Sequence, residues 1–223
     1  MSEKLLELAP VVPVVVLHDA ATAVPLARAL ADGGLPVIEV TLRTPAALEG
    51  VRRIAAEVPD AVVGTGTVRT PDDVRASVEA GARFLVSPGA TPRLLDAMED
   101  SGLDFLPGTA TISEMMAVAE RGHTACKFFP AEAAGGRPFL KAVAGPLPDL
   151  RFCPTGGVTV DSAPDYLALP NVSCVGGSWL TPADAVAAGD VDRIRGLAAA
   201  AAALPRRRGE HSTARAASTA NAT

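Results

Sequence analysis

The sequence predicts an α/β protein of the (β/α)8 barrel type, the TIM barrel, and three observations lead to this fold. Short β-branched runs alternate with longer segments rich in Ala, Leu, Glu and Arg, as strands and helices do in βα units. Eight such runs occur, which allows a closed barrel or an open doubly wound sheet. Residues capable of chemistry recur after most of the runs, where barrel enzymes place their sites, whereas an open sheet gathers them at one switch point. The barrel is therefore the expected architecture.

Each predicted strand is one of these β-branched runs, and a predicted helix follows each of them. The strands are expected at residues 11–17, 36–42, 61–66, 83–87, 103–107, 124–128, 150–153 and 172–175. The helices are expected at 19–33, 45–58, 71–80, 91–100, 111–121, 136–143, 161–169 and 190–204, with a short helical turn at 182–187. A threonine before a proline predicts an N-cap for three of the helices, at Thr44, Thr70 and Thr91. Glycines at 33–34, 81, 102 and 122 end the preceding helices.

Composition narrows the class of protein. Of the 223 residues, 48% are hydrophobic, so the chain can bury the core of one domain. We expect that domain to cover residues 1–204, and the tail 205–223, which lacks apolar periodicity, to be disordered. A net charge of -5 argues against a general nucleic-acid binder. Neither a membrane span nor a secretory signal is evident, so a cytoplasmic protein is expected.

Cysteine and histidine positions argue against a metal site or a disulfide framework. Both residue types are scattered without zinc-ligand spacing, at Cys126, Cys153, Cys174, His18, His123 and His211. Buried, reduced thiols are therefore the expectation for the cysteines.

Lys127 is the first candidate for a catalytic residue, because it ends an apolar run and shares a strand face with Ala125 and Phe129. Burial favours the neutral amine of a lysine, which is a nucleophile and can form a Schiff base with a carbonyl. The alternative is a solvated charge at the rim of the sheet.

Glu39 strengthens the catalytic interpretation. On the strand 36–42, alternation places Glu39 and Arg43 on one face, and the opposite face is wholly apolar and suited to packing against helices. Glu39 and Arg43 should thus point into the barrel, where an unpaired carboxylate is unfavourable unless it has a function. A general acid/base beside an anion-holding guanidinium is the functional interpretation. A purely structural ion pair is the alternative.

Small and hydroxyl-bearing residues follow several strands and suit the binding of an anion. Glycine pairs come after the last two strands, at 156–157 and 176–177, and side-chain-free backbone lets N–H groups converge on a phosphate. Thr67 follows the strand 61–66 and Thr155 follows the strand 150–153, and both hydroxyls suit a substrate carboxylate. Turn glycines with helix-capping threonines remain the alternative.

These stretches together resemble the 2-keto-3-deoxy-6-phosphogluconate (KDPG) aldolases, class I enzymes whose family includes 4-hydroxy-2-oxoglutarate aldolase activity. The matching segments lie at 39–43 (EVTLR), 63–68 (VGTGTV), 87–89 (SPG), 107–108 (PG), 127–132 (KFFPAE), 151–157 (RFCPTGG) and 176–179 (GGSW). They span roughly residues 10–200 in the expected order. The resemblance implies a trimeric (β/α)8 barrel that needs neither a metal nor an organic cofactor.

The resemblance also implies a role for each matching residue. Lys127 would form the Schiff base with the C2 ketone, and Glu39 would relay protons and take the C4 hydroxyl proton as the C3–C4 bond breaks. The carboxylate end of the substrate would be held by Arg43, Thr67 and Thr155, with Phe129 walling the pocket. The distal phosphate would be bound by Gly156, Gly157, Gly176, Gly177 and Ser178. The products would be pyruvate and glyceraldehyde 3-phosphate, as in the Entner-Doudoroff pathway.

Two other functions stay open. A sibling aldolase would use the same lysine chemistry on 4-hydroxy-2-oxoglutarate or on the galactonate epimer of the substrate. A barrel that binds a phosphorylated ligand without turnover would belong to a different class, although a binder has no reason to desolvate a reactive amine.

Overall fold

The computed structural model describes residues 3–206, which form an α/β fold with a curled sheet of parallel strands. The strands are β1 (Val11–Val15), β2 (Val37–Thr41), β3 (Val62–Gly66), β4 (Phe84–Val86), β5 (Asp104–Leu106), β6 (Gly108–Thr109), β7 (Ala125–Phe128), β8 (Arg151–Pro154) and β9 (Val175–Gly177). The helices are α1 (Glu3–Leu6), α2 (Ala23–Asp32), α3 (Ala47–Glu57), α4 (Pro71–Glu79), α5 (Pro92–Asp100), α6 (Ile112–Glu120), α7 (Gly136–Val143), α8 (Ala163–Leu167), α9 (Ala183–Ala188) and α10 (Val191–Ala202). A 3-10 turn (Ala20–Thr22) precedes α2. No helix within residues 3–206 is long and apolar enough to cross a membrane.

The strands form two groups of parallel strands, which adjoin each other. Six strands are ordered β5-β4-β3-β2-β1-β9, and three are ordered β6-β7-β8. Pro107 separates β5 from β6, so the single strand predicted at 103–107 is two short ones, because proline has no N–H to donate to a neighbouring strand. The Lys127 N–H still donates to the Pro107 carbonyl (2.8 Å), and an isolated bridge between Thr155 and Gly176 connects the ends of β8 and β9.

The alternation of buried residues along the strands separates two apolar clusters. The cluster inside the curled sheet is made by Leu6, Val12, Val37, Phe84, Val86, Leu106, Ala125, Cys153 and Cys174. The neighbours Ile38 and Val40 on β2 belong instead to the larger cluster that packs the sheet against the helices. The predicted parity of β2 is therefore confirmed. Helix α1, which was not expected, contributes Leu6 to the inner cluster.

Two of the three predicted threonine caps are confirmed. The Thr70 and Thr91 hydroxyls accept from the backbone N–H groups of Asp73 and Leu94, three residues further on. The cap at Thr44 is wrong, because α3 begins at Ala47 and the Thr44 hydroxyl donates to the Leu17 carbonyl instead. That long-range contact holds the end of β2 against the end of β1.

Three further expectations concern the C-terminal part of the chain and the cysteines. Strand β9 (Val175–Gly177) lies later than the predicted 172–175, because the glycine backbone pairs with β1 while Val172 makes only an isolated bridge to Phe152. All three cysteines are buried and free, as expected. The tail predicted to be disordered, and His211 within it, lie outside the described residues except for Pro205 and Arg206. Arg206 donates to the Glu7 carbonyl.

Candidate active site

Lys127 on β7 and Glu39 on β2 meet inside the curled sheet. The Lys127 Nζ lies 3.0 Å from Glu39 Oε1 and 3.4 Å from Oε2, although the two residues are 88 positions apart. Each is only 3% exposed, so the pair is withdrawn from water. The Phe129 ring lies beside them, with its centroid 5.4 Å from Nζ. The structure therefore brings together the two residues that carry the predicted chemistry.

Gly66, at the end of β3, makes room for the Glu39 side chain. A Cβ at this position would lie 2.0 Å from Glu39 Oε1 and 2.6 Å from its Cδ, far inside van der Waals contact. The sequence pattern suggested that the small residues of this segment serve the approach of a substrate. The packing of β3 against β2 shows instead that Gly66 leaves space for the side chain of Glu39, the candidate acid/base.

Arg43 and Thr67 lie together at the rim, where β2 and β3 end. The Arg43 Nε donates to the Thr67 hydroxyl over 3.1 Å. Thr67 has φ 61°, and it is the only non-glycine residue with a positive φ within residues 3–206. A β-branched residue disfavours this conformation by about 1–3 kcal/mol, and such strain concentrates at functional sites. No feature of the sequence predicts this backbone conformation of Thr67.

The ends of β8 and β9 bring Thr155 and the glycine pairs together. Thr155 is buried, its hydroxyl donates to the Cys153 carbonyl (3.3 Å), and a Cβ on Gly176 would lie 2.2 Å from that hydroxyl. Gly156 and Gly157 have φ 96° and 82°, so two consecutive residues adopt the left-handed conformation that favours glycine. Successive backbone N–H groups in such a turn form a concavity suited to an anion.

Ser178 extends the site outward from the ends of the strands. It is exposed and lines a cavity of about 450 Å³ that also includes Val14, His18 and Thr181. Val14 is the strand partner of Glu39 on β1, so one wall of this cavity lies on the strand next to Glu39. Sequence reasoning gave no function to His18, and the structure places it on this wall.

A buried amine beside a carboxylate, enclosed by parallel strands, is the arrangement of an enzyme that reacts with carbonyls through an imine. Comparison with known proteins makes the class specific. The family described as "Aldolase: KDPG and KHG aldolase" matches residues 2–197, and the chain belongs to this family.

Curated relatives and solved structures agree with this assignment. The chain is 54% identical over 194 residues to a 2-dehydro-3-deoxy-phosphogluconate aldolase of Pseudoalteromonas atlantica, which covers 87% of this chain and 90% of the relative. It is 51% identical over 197 residues to the KHG/KDPG aldolase of Escherichia coli (strain K12), covering 88% and 92%. A Legionella pneumophila KDPG aldolase, solved with pyruvate captured as a covalent carbinolamine intermediate, superposes with a TM-score of 0.88 at 44% identity, covering 91% and 98%.

Proposed function

We propose that this protein is a class I Schiff-base aldolase that cleaves 2-dehydro-3-deoxy-6-phosphogluconate to pyruvate and D-glyceraldehyde 3-phosphate. The observation that carries the proposal is the 3.0 Å contact between Lys127 Nζ and Glu39 Oε1 in a buried site. Relatives that share about half of this sequence have the corresponding names. The reaction is an aldehyde-lyase step of sugar-acid breakdown, as in the Entner-Doudoroff pathway.

The pair can supply each proton transfer of the reaction. Glu39 takes a proton from the Lys127 ammonium, and the neutral amine attacks the C2 ketone to give a carbinolamine. Glu39 returns the proton to the departing hydroxyl, and water leaves as the iminium forms. Glu39 then takes the C4 hydroxyl proton, the C3–C4 bond breaks, and its electron pair moves into the iminium to give a neutral enamine. Glu39 then gives that proton to C3 of the enamine, and water hydrolyses the resulting iminium to release pyruvate and free Lys127.

The rim residues would fix the carboxylate of the substrate. Arg43 and Thr67 already contact each other, so a carboxylate can accept hydrogen bonds from the guanidinium and the hydroxyl together. The buried hydroxyl of Thr155 would bind on the opposite side, and Phe129 would exclude water beside the imine. No metal or organic cofactor enters this scheme.

The glycine pairs would bind the distal phosphate. The left-handed turn at Gly156 and Gly157 presents backbone N–H groups, and Gly176, Gly177 and Ser178 continue the same edge of the sheet toward the cavity. The partner is therefore a phosphorylated 2-oxo sugar acid.

We further propose that the two strand groups form one closed eight-stranded barrel in a single domain over residues 1–204. The bridge between Thr155 and Gly176, and the Lys127 contact to Pro107, support closure when β5 and β6 are counted as one strand. The family resemblance supports a cytoplasmic homotrimer. Light scattering after size-exclusion chromatography tests the trimer directly.

Borohydride reduction with pyruvate tests the chemistry. We expect a covalent adduct on Lys127, found by peptide mass spectrometry, and its absence would overturn the aldolase proposal in favour of a barrel that only binds its ligand. A substrate panel then compares kcat/KM for the gluconate substrate, its galactonate epimer and 4-hydroxy-2-oxoglutarate. The last is the second candidate, because the Escherichia coli relative is named for both activities. Equal kcat/KM with and without the phosphate would contradict the role given to the glycine pairs.

A further inference from the structure

Glu132 and Tyr166 form a polar contact next to the proposed phosphate turn, and the reaction as described leaves it unused. The Tyr166 hydroxyl donates to Glu132 Oε1 over 2.7 Å. Tyr166 lies on α8 and is fully buried, in the layer between sheet and helices. Burial, together with the hydrogen bond to Glu132, raises the pKa of Tyr166, so its hydroxyl stays protonated and donates.

Glu132 contacts both glycines of the turn. Its backbone N–H donates to the Gly156 carbonyl (3.1 Å), and the Ala131 N–H donates to the Thr155 carbonyl (2.8 Å). Its side chain lies directly against Gly157, where a Cβ would come within 2.6 Å of Glu132 Cγ. The position of the Glu132 side chain therefore limits where the Gly157 backbone can lie.

The hydrogen bond from Tyr166 also fixes the direction in which the Glu132 carboxylate points. Glu132 is an exposed residue with a free choice of rotamer unless something holds it, and its carboxylate sits on a side chain that touches the anion-binding turn. A carboxylate that turned toward the Gly157 N–H would compete with a phosphate for it. Tyr166 draws the carboxylate toward the helix layer instead.

We propose that Glu132 and Tyr166 are positioning residues for the distal phosphate: their hydrogen bond fixes the turn at Gly156 and Gly157 and keeps the Glu132 carboxylate away from its N–H groups. Neither residue touches the substrate. This inference rests on the proposed function, in which that turn binds the phosphate.

The test uses one measurement for the phosphate end of the substrate and another for the reacting end. The ratio of kcat/KM for the phosphorylated sugar acid to that for its unphosphorylated form reports on the phosphate. The pyruvate concentration that gives half-maximal borohydride trapping reports on the Lys127 end. We expect Tyr166→Phe to lower the ratio about threefold to tenfold, through KM, because one hydrogen bond is lost. The pyruvate concentration that gives half-maximal trapping should stay at the wild-type value.

Two substitutions of Glu132 and one matched control complete the experiment. Glu132→Ala should lower the ratio as Tyr166→Phe does, whereas Glu132→Gln should restore it, because the amide oxygen still accepts from Tyr166 and carries no charge. The control is Asp192→Asn on α10, which loses an exposed ion pair with Arg195 and should leave the ratio unchanged.

The outcomes distinguish this inference from the proposed function. An unchanged ratio in both Tyr166→Phe and Glu132→Ala would overturn it, as would an equal loss for both substrate forms, which would indicate general structural support. A low ratio in Glu132→Gln would contradict the role of the hydrogen bond. A wild-type protein that traps pyruvate but ignores the phosphate would overturn the phosphate assignment itself, and this inference with it.

Discussion

Replacing Gly66 by alanine should lower activity far more than stability, because the added methyl group meets the Glu39 carboxylate. A Cβ at this position would lie 2.0 Å from Glu39 Oε1 and 2.6 Å from its Cγ. The carboxylate is the free end of a flexible side chain, so it can move and relieve the overlap. It would then leave its position 3.0 Å from Lys127 Nζ.

The expected magnitudes follow from this movement. Loss of a positioned general acid/base lowers a rate by about 10²–10⁴, or roughly 3–5 kcal/mol in the activation free energy. Overpacking lowers the free energy of unfolding by about 1–3 kcal/mol, and Gly66→Ala should lie at the low end because Glu39 can rotate away. The variant should be folded and nearly inactive.

Gly64→Ala is the matched control, two residues earlier on the same strand. Its Cβ would lie 2.5 Å from three atoms of the Phe84 ring, which is fully buried and rigid. We therefore expect the larger loss of stability, about 3 kcal/mol, together with near-normal kcat per folded molecule. The two variants should rank in opposite order for stability and for activity.

Pyruvate release coupled to lactate dehydrogenase gives kcat, and urea unfolding gives the stability of each variant. The reasoning would be refuted by a Gly66→Ala kcat within about tenfold of the wild type, which lies below the lower bound for a lost acid/base. A Gly64→Ala variant that is folded but equally inactive would show that any added bulk in the sheet interior abolishes turnover.

Two further predictions concern the buried pair and the thiols. Lys127→Ala should abolish both turnover and borohydride adduct, whereas Glu39→Gln should slow turnover yet still allow some adduct; wild-type activity in either variant would contradict the assigned roles. Burial raises the pKa of Cys126 to about 12, and a hydrogen bond donated to Cys153, together with burial, also raises the pKa of Cys174. The folded state thus holds its thiol protons more tightly than the unfolded state, so stability is complete below the ordinary thiol pKa, near 8.5, and declines as the pH rises toward 12. Urea unfolding at pH 8 and pH 10 measures this decline, and iodoacetamide at pH 8 should label Cys126 only in urea.

Local sequence patterns were sufficient for much of the fold and for the centre of the site. Strand alternation placed Glu39 on the inner face, because a one-residue shift would have turned Ile38 and Val40 away from the helices and pointed Glu39 at them. Threonine caps located α4 and α5, because a cap depends only on residues within three positions. The cap at Thr44 was wrong because a contact across 27 positions, to Leu17, took its hydroxyl.

What the sequence could not supply depends on packing between distant segments. The sequence around Gly66 indicates only a turn, and its contact with Glu39 is seen once β3 lies beside β2. The contact of Glu132 with Tyr166 joins positions that are 34 residues apart. The strained φ of Thr67 is likewise a property of the assembled rim, since threonine has no local preference for it. Each of these features depends on a chain fold that brings the partner to within a few ångströms.

The buried pair itself shows why the site must be packed so closely. A buried Lys–Glu pair is seldom a net gain in stability, because the desolvation of two charges offsets their attraction. Here the missing side chain of Gly66 leaves the space in which the Glu39 carboxylate lies 3.0 Å from Lys127 Nζ. The same logic applies to the proposed phosphate turn, beside which the Tyr166 hydroxyl donates to the Glu132 carboxylate. In both places a residue without a reactive group determines where a charged group points, and that constraint is what a lysine-dependent cleavage requires of the protein around it.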